Sequence, residues 1–335
     1  MKSKIVLKGR SLLHLNDFSG DELFYLLDFA REFKAKKRMG VRGEALRNKT
    51  MALIFEKSST RTRCAFVSAA NEEGGHAEYL DVGDIHFGRK ESIRDTARVL
   101  GRLFDGIAFR GFKQSTVEML ATYAGVPVWN ALTDDWHPTQ VLADLLTIQE
   151  SFGILAGLKV VYVGDGRNNV ANSLMMGCAR AGMHFVNCTP RELAPSAALC
   201  GQAASLAGMR GGSVSVSHDP LSAVEGANVV YTDVWVSMGE ESKFNERLAL
   251  LRPYQVNMDL MRRSGNVESG KVIFLHCLPA FHDSNTDVTR EIGPMEVTDD
   301  VFEAPFSRVF DEAENRLHTI KAVMVATAGD GEVQG

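Results

Sequence analysis

The sequence predicts an α/β protein of two domains, each a mostly parallel sheet covered by helices. Three observations predict it. Short apolar, strand-like runs alternate with helical patterns along the whole chain. At 335 residues the chain has room for two domains of ordinary size. Hydrophobic residues make up 45 %, enough to fill two cores, which sets disorder aside. Strand, helix, strand in succession implies parallel pairing with helices on both faces.

In the first half the strand-like runs are 50–56, 77–81, 106–110 and 126–130. Helical patterns cover Asp21–Lys37 and Glu91–Leu103, and another opens at Cys64-Ala65-Phe66. Segment 137–150 reads as one helix with Leu142, Leu145, Leu146 and Ile148 apolar, followed by Gly153 and Gly157. That places a domain boundary near 150, with the helix as connector. In the second half the runs are 159–164, 184–189, 213–218, 228–232 and 272–276, and Val170–Ala181 is helical. The last helix, about 312–328, carries Leu317, Ile320, Val323 and Met324 on one side. That stripe needs a large surface, so a return to the first domain is expected. The layout is then 1–150, 151–312 and a returning segment 313–335, with two helices crossing between the domains.

Composition removes several function classes. A net charge of −5 makes the chain as a whole no partner for nucleic acid, although a few residues can still build a basic pocket. Five cysteines, with no Cys-x-x-Cys pair, fit neither a disulfide framework nor a zinc knuckle and suit a reducing cytoplasm. Cys64, Cys178, Cys188 and Cys200 fall in apolar patterns and read as inert filling. No secretory pattern is read in the first eight residues, and no run approaches the roughly 20 apolar residues of a membrane span.

Ligands of open α/β sheets sit beyond the carboxyl ends of the strands, and the polar motifs fall there. Glu56-Lys57-Ser58-Ser59-Thr60-Arg61-Thr62-Arg63 lies between the strand 50–56 and a helix. The first turn of a helix offers unbonded N–H groups and the positive end of its dipole. Ser59, Thr60 and Thr62 add hydroxyls and Arg61 a bidentate fork, so the natural guest is a phosphate. Without a guest the stretch is an N-cap and a basic turn. Arg110 ends the next strand-like run but one. Gly164-Asp165-Gly166-Arg167-Asn168-Asn169 follows strand 159–164 and is not a Gly-x-Gly-x-x-Gly fingerprint, because Asn169 holds the last glycine position. That disfavours a dinucleotide enzyme. Asp233 ends an apolar strand and suits an ammonium group. Cys277 stands at a strand end between His276 and Leu278-Pro279.

Four segments carry a resemblance. Ser59-Thr60-Arg61-Thr62-Arg63, His137-Pro138-Thr139-Gln140, Asp233-Val234-Trp235-Val236-Ser237-Met238-Gly239 and His276-Cys277-Leu278-Pro279 occur in the order found in the aspartate/ornithine carbamoyltransferase family. The Ser-Met-Gly and His-Cys-Leu-Pro segments resemble its ornithine branch. The aspartate branch usually has a Pro-Leu-Pro-Arg type loop where this chain has Cys277-Leu278-Pro279-Ala280.

The resemblance implies transfer of the carbamoyl group of carbamoyl phosphate to the δ-amine of L-ornithine, giving citrulline. It implies that Ser59, Thr60, Arg61 and Thr62 hold the phosphate. Arg110 reaches phosphate and carbonyl oxygen, and Arg316 completes the carbonyl-oxygen site. His137 donates to that oxygen, where developing charge is stabilised, or carries a proton. Gln140 accepts from the carbamoyl NH2, as does the Leu278 carbonyl. Asn169 holds the ornithine carboxylate and Asp233 its α-ammonium. Ser237 and Met238 lie on a loop that closes over the amino acid. The Cys277 thiol orients the reacting amine, a covalent Cys-His mechanism being the other option. His276 is read as structural. His86, where some relatives carry Gln, aligns with a loop that reaches a neighbouring subunit's phosphate.

No metal and no organic cofactor is expected, since the leaving group is already activated. The expected partners are the two small substrates and further copies of the chain, a trimer or a multiple of trimers with active sites between subunits. A carbamoyltransferase for N-acetylornithine or putrescine, and a non-catalytic sensor of carbamoyl phosphate or an amino acid, remain as alternatives.

Overall fold

The structure is a computed structural model that describes residues 5–330 except Asp84, His86, Arg89 and 237–240. The chain divides into two compact units. One comprises Met1–Leu146 and Glu314–Gly335, the other Thr147–Ala313.

The first unit is built on β1 (Thr50–Phe55), β2 (His76–Asp81), β3 (Gly106–Arg110) and β4 (Val128–Leu132), in the order β2-β1-β3-β4. Every pairing is parallel. Its helices are α1 (Gly20–Arg38), α2 (Thr60–Glu72), α3 (Ile93–Leu103), α4 (Gln114–Ala124) and most of α5 (Pro138–Phe152). The central strands are apolar throughout because both their faces are covered. Ala52, Ile54, Ile107 and Phe109 pack with Val117 and Leu120 of α4 in one buried cluster. A side chain of this size contributes roughly 1.5–3 kcal/mol when fully buried. The fourth strand begins two residues later than the apolar run at 126. Pro127 has no N–H to give the ladder, although its carbonyl accepts from Ile107 at 2.9 Å.

The second unit carries β5 (Lys159–Val163), β6 (His184–Cys188), β7 (Ser213–Ser217), β8 (Val229–Tyr231) and β9 (Ile273–Leu275). Their order is β7-β6-β5-β8-β9, again all parallel. Its helices are α6 (Asn169–Ala181), α7 (Ala197–Gly208), α8 (Pro220–Ala223), α9 (Phe244–Leu251), α10 (Met258–Arg263), α11 (Thr289–Ile292) and α12 (Asp299–Phe302). Val161, Val163, Val230 and Phe274 form its core with Val256, Leu260 and Val301.

The division between units falls inside α5, between Leu146 and Thr147, and inside α13 (Val309–Ala328), between Ala313 and Glu314. Two helices therefore join the units. The late part of α13 belongs to the first unit: Trp129 Nε1 donates to Thr327 Oγ1 at 3.0 Å, and Lys321 Nζ to Glu72 Oε2 at 2.5 Å.

Candidate active site

In the first unit, chain direction brings three strand ends to one edge of the sheet. Ser59 caps α2, its hydroxyl accepting from the Thr62 N–H at 3.3 Å. Thr60 opens the helix, so the hydroxyl-rich segment sits where the first-turn N–H groups and the dipole are available. Thr62 is fully buried and accepts from Arg316 Nη2 at 2.7 Å. Arg316 thus lies inside the fold, only 3 % exposed, rather than at a solvated helix end. Arg110 closes β3 and is buried. The Nε of Arg61 is buried with no protein partner among the described residues.

His137 stands immediately before Pro138, the first residue of α5. Its ring is buried, and Arg316, Arg110 and Arg61 all act on it. Burial first, then these three positive charges, hold its pKa well below the ordinary 6.5. The imidazole is therefore neutral at pH 7 and can present one N–H. Gln140, one turn on, is buried and donates to Asp144 Oδ1 at 2.8 Å, which fixes the direction of its amide.

Glu56 and Lys57, at the start of the same strand-to-helix turn, support the site without any role that their residue types announce in the sequence. Lys57 Nζ pairs with Asp134 Oδ1 at 2.6 Å and lies 4.4 Å from the centre of the Phe112 ring. Glu56 accepts from the Phe112 N–H at 3.0 Å. These contacts tie together the segments after β1, β3 and β4. Their only sequence signal was position, inside the same strand-to-helix turn.

In the second unit, Asn168 caps α6 by accepting from the Val170 N–H at 2.7 Å, and Asn169 is the first helical residue. The turn before them is held from β6. The Gly166 N–H donates to Thr189 Oγ1, and Asn187 Nδ2 donates to the Gly166 carbonyl, each at 3.0 Å. Asp165 is paired with Arg247 of α9 at 2.6 Å, both buried. Asp233 follows β8 and is buried. Its Oδ1 accepts from the Val234 N–H at 2.8 Å and from the Cys277 thiol at 3.1 Å. Leu278 next to it adopts φ +57°, with a cis peptide to Pro279. Tyr162, in β5, is fully buried; burial, then Asp233 and Asp165, raise its pKa well above 10.

Ligand atoms of Asp233, His276 and Cys277 lie within 4.8 Å of one another, a spacing compatible with a metal ion. The imidazole does not fit that use. His276 Nδ1 accepts from the Leu278 N–H at 2.9 Å, and Nε2 faces Glu296 Oε1 at 3.2 Å. Both nitrogens are committed, so no lone pair is left for a metal.

His86, Ser237 and Met238 lie outside the described residues. The cysteines differ from the sequence expectation: Cys178 and Cys188 are buried, whereas Cys64 is exposed and Cys200 partly so. Cys64 sits in α2 on a turn of helix that faces water, which an apolar neighbourhood in sequence did not reveal.

Residues 10–150 match the carbamoyl-P binding domain of the aspartate/ornithine carbamoyltransferases, and residues 156–327 match their Asp/Orn binding domain. The chain belongs to the aspartate/ornithine carbamoyltransferase family. Within the family it is 56 % identical to the catabolic ornithine carbamoyltransferase of Bacillus licheniformis, over 98 % of this chain and 99 % of that protein. It is also 56 % identical to an ornithine carbamoyltransferase of Streptococcus pyogenes, over 97 % of each. Among solved carbamoyltransferase structures, the ornithine carbamoyltransferase of Pyrococcus furiosus superposes with a TM-score of 0.90 at 44 % identity, covering 98 % of this chain and 100 % of that one. That of Gloeobacter violaceus gives 0.82 at 43 %, covering 97 % and 100 %. No helix among the described residues is long and apolar enough to cross a membrane.

Proposed function

We infer that this chain transfers the carbamoyl group of carbamoyl phosphate to the δ-amine of L-ornithine, giving L-citrulline and phosphate. The observation that carries the phosphate half is a buried His137 on which the charges of Arg316, Arg110 and Arg61 act, in the same unit as the capped start of α2. Such a set suits a dianion joined to a polarised carbonyl. The ornithine half is supported by the Asp233–Cys277 contact and by the named activity of the relatives.

In this reading Ser59, Thr60, Arg61 and Thr62 hold the phosphate, with His86 as a further contact expected from the sequence. Asn169 takes the ornithine carboxylate and Asp233 its α-ammonium, and Ser237 and Met238 belong to the loop over it. The neutral δ-amine, guided by Cys277, attacks the carbonyl carbon. Charge develops on the oxygen, which Arg110, His137 and Arg316 stabilise. Gln140 and the Leu278 carbonyl accept from the carbamoyl NH2. The C–O bond to phosphate breaks, and the departing phosphate takes the amine proton. Positioning and electrostatics supply the acceleration. An acyl phosphate is activated already, so the balance requires no redox partner.

The resemblance also supports a cytoplasmic homo-oligomer, a trimer or a multiple of trimers, with the segment around His86 reaching a neighbour. Sedimentation of the active species tests that assembly. The function is tested by offering ornithine, N-acetylornithine, putrescine and aspartate side by side with carbamoyl phosphate. Turnover of ornithine alone is expected; turnover of another amine in its place overturns the assignment of Asp233 and the loop after it. The reverse reaction, from citrulline and phosphate, is measured alongside, because the Bacillus licheniformis relative is named catabolic.

A further inference from the structure

Glu296 has no part in the chemistry above, yet it is fully buried and organises the loop that carries Cys277 and Leu278. Its Oε1 accepts twice: from His276 Nε2 at 3.2 Å and from the Phe281 N–H at 2.7 Å. The other nitrogen of His276, Nδ1, accepts from the Leu278 N–H at 2.9 Å. A ring nitrogen that accepts from an amide carries no proton, so Nε2 holds it and donates to Glu296. The carboxylate thereby selects the tautomer that can grip Leu278.

The grip has a task. Leu278 sits at φ +57°, a left-handed conformation that a branched side chain adopts only when its surroundings enforce it. The Leu278 carbonyl lies between two pinned N–H groups, those of Leu278 and Phe281. Both pins trace to Glu296, one directly and one through the imidazole. The carboxylate itself is held by its backbone: the Val256 N–H donates to the Glu296 carbonyl at 2.9 Å, and Val256 bridges to Val297. From the other side, the His276 N–H donates to Glu312 Oε2 at 2.9 Å. The second oxygen of Glu296, Oε2, is buried with no partner among the described residues. A buried oxygen left unsatisfied is costly.

We propose that Glu296 and His276 are positioning residues for carbamoyl transfer, which together aim the Leu278 carbonyl and the Cys277 thiol at the reacting groups. The inference rests on the proposed function, because those two groups are the ones assigned there to the carbamoyl NH2 and the attacking amine. It gives the structural His276 a part in positioning the reacting groups, and it adds Glu296, which no sequence motif marked.

The two nitrogens of His276 can be tested separately. Asparagine places an oxygen near the Nδ1 position and can accept from the N–H two residues on. Glutamine reaches instead toward the Nε2 position. The proposal expects His276→Asn to stay within about tenfold of the unaltered chain in kcat/KM for ornithine, and His276→Gln to fall about a hundredfold or more. Glu296→Gln, which keeps an acceptor for both N–H groups, is expected to retain most activity, and Glu296→Ala to lose it mainly in kcat. Carbamoyl-phosphate affinity stays unchanged in His276→Asn and Glu296→Gln, and falls in His276→Gln and Glu296→Ala, which release the Leu278 carbonyl from the carbamoyl NH2.

Equal losses in His276→Asn and His276→Gln overturn the proposal, as does a Glu296→Gln variant no better than Glu296→Ala. The unaltered chain is assayed first. If it makes no citrulline, the proposed function falls; if it does and the variants do not separate, only the positioning role falls. Should the variants fail to fold, amide hydrogen exchange at Leu278 in the unaltered chain decides. Slow exchange supports the grip, and exchange at the rate of an open loop overturns it.

Discussion

The thiol of Cys277 donates to the carboxylate of Asp233 across 3.1 Å, joining residues that stand 44 positions apart in the chain. The contact places a sulfur beside the carboxylate proposed to take the ornithine α-ammonium. Cys277→Ser shortens the donor and moves it away from Asp233. The expected outcome is a KM for ornithine raised about tenfold to a hundredfold, the range of one hydrogen bond to a charged group. Calorimetry with carbamoyl phosphate should show an unchanged affinity. An enzyme without any turnover but with full ornithine affinity would point to a covalent cysteine instead.

Arg61 belongs to the other unit and should separate cleanly from Cys277. Arg61→Gly removes the guanidinium at a helix position where glycine costs about 1 kcal/mol. The fold should survive, and carbamoyl-phosphate binding should be lost in calorimetry. Binding that persists at the original affinity would remove the phosphate assignment of the Ser59–Thr62 segment.

The bond from Arg316 to Thr62 predicts a different signature. Thr62→Val keeps the volume but removes the acceptor from a buried guanidinium. The expected loss is about 1–3 kcal/mol of stability, visible in urea unfolding. Catalysis should weaken too, since Arg316 would no longer be held toward His137. A variant with full stability and full activity would show that the contact matters to neither.

Much of this was legible in the sequence, for a physical reason. A parallel strand covered on both faces must be apolar along its length, so β1, β3, β5 and β8 stand out as continuous runs in a polar background. Ligands of open α/β sheets sit at polar strand ends, so sequence alone puts Arg110, Asn169, Asp233 and Cys277 at or after the ends of strands, where the structure has them. What stayed hidden were partners set by long-range folding. Nothing local marks Glu296 as the acceptor for His276, Arg247 as the partner of Asp165, or Arg316 as the donor to Thr62. The edge strands were fainter for the opposite reason. Ser213-Val214-Ser215-Val216-Ser217 is half exposed and alternates, and only its pairing with β6 fixes its place.

Two histidines predict how stability depends on pH. Burial, followed by the charges of Arg316, Arg110 and Arg61, lowers the pKa of His137 well below 6.5. Burial lowers that of His318 to about 4. In the unfolded chain both take up protons near pH 6.5. Between that value and the lowered ones, the unfolded state binds more protons, so stability rises with pH there. On acidification the fold should begin to weaken at about pH 6.5, by up to about 1.4 kcal/mol per pH unit for each titrating group. Urea midpoints at pH 7 and pH 5 measure the slope. His318→Gln should flatten it, and an unchanged slope in that variant would assign the acid sensitivity elsewhere.

Gly166 offers the sharpest test of how the second unit holds its ligand turn. A Cβ built at this position would lie 2.6 Å from Asn187 Oδ1 and 2.8 Å from Thr189 Cγ2. Those two residues also make the hydrogen bonds that fasten the turn, at 3.0 Å each. Gly166→Ala cannot keep both bonds and accommodate the methyl. Strand β6 is buried and paired on both sides, so the turn must move instead. Moving it carries Asn168 and Asn169 with it, because they follow within three residues and start α6. The expected result is a stability loss of about 1–3 kcal/mol. A second effect should appear in kinetics: a raised KM for ornithine with carbamoyl-phosphate affinity intact, since the phosphate residues belong to the other unit. A destabilised variant with an unchanged ornithine KM would detach Asn169 from the substrate carboxylate.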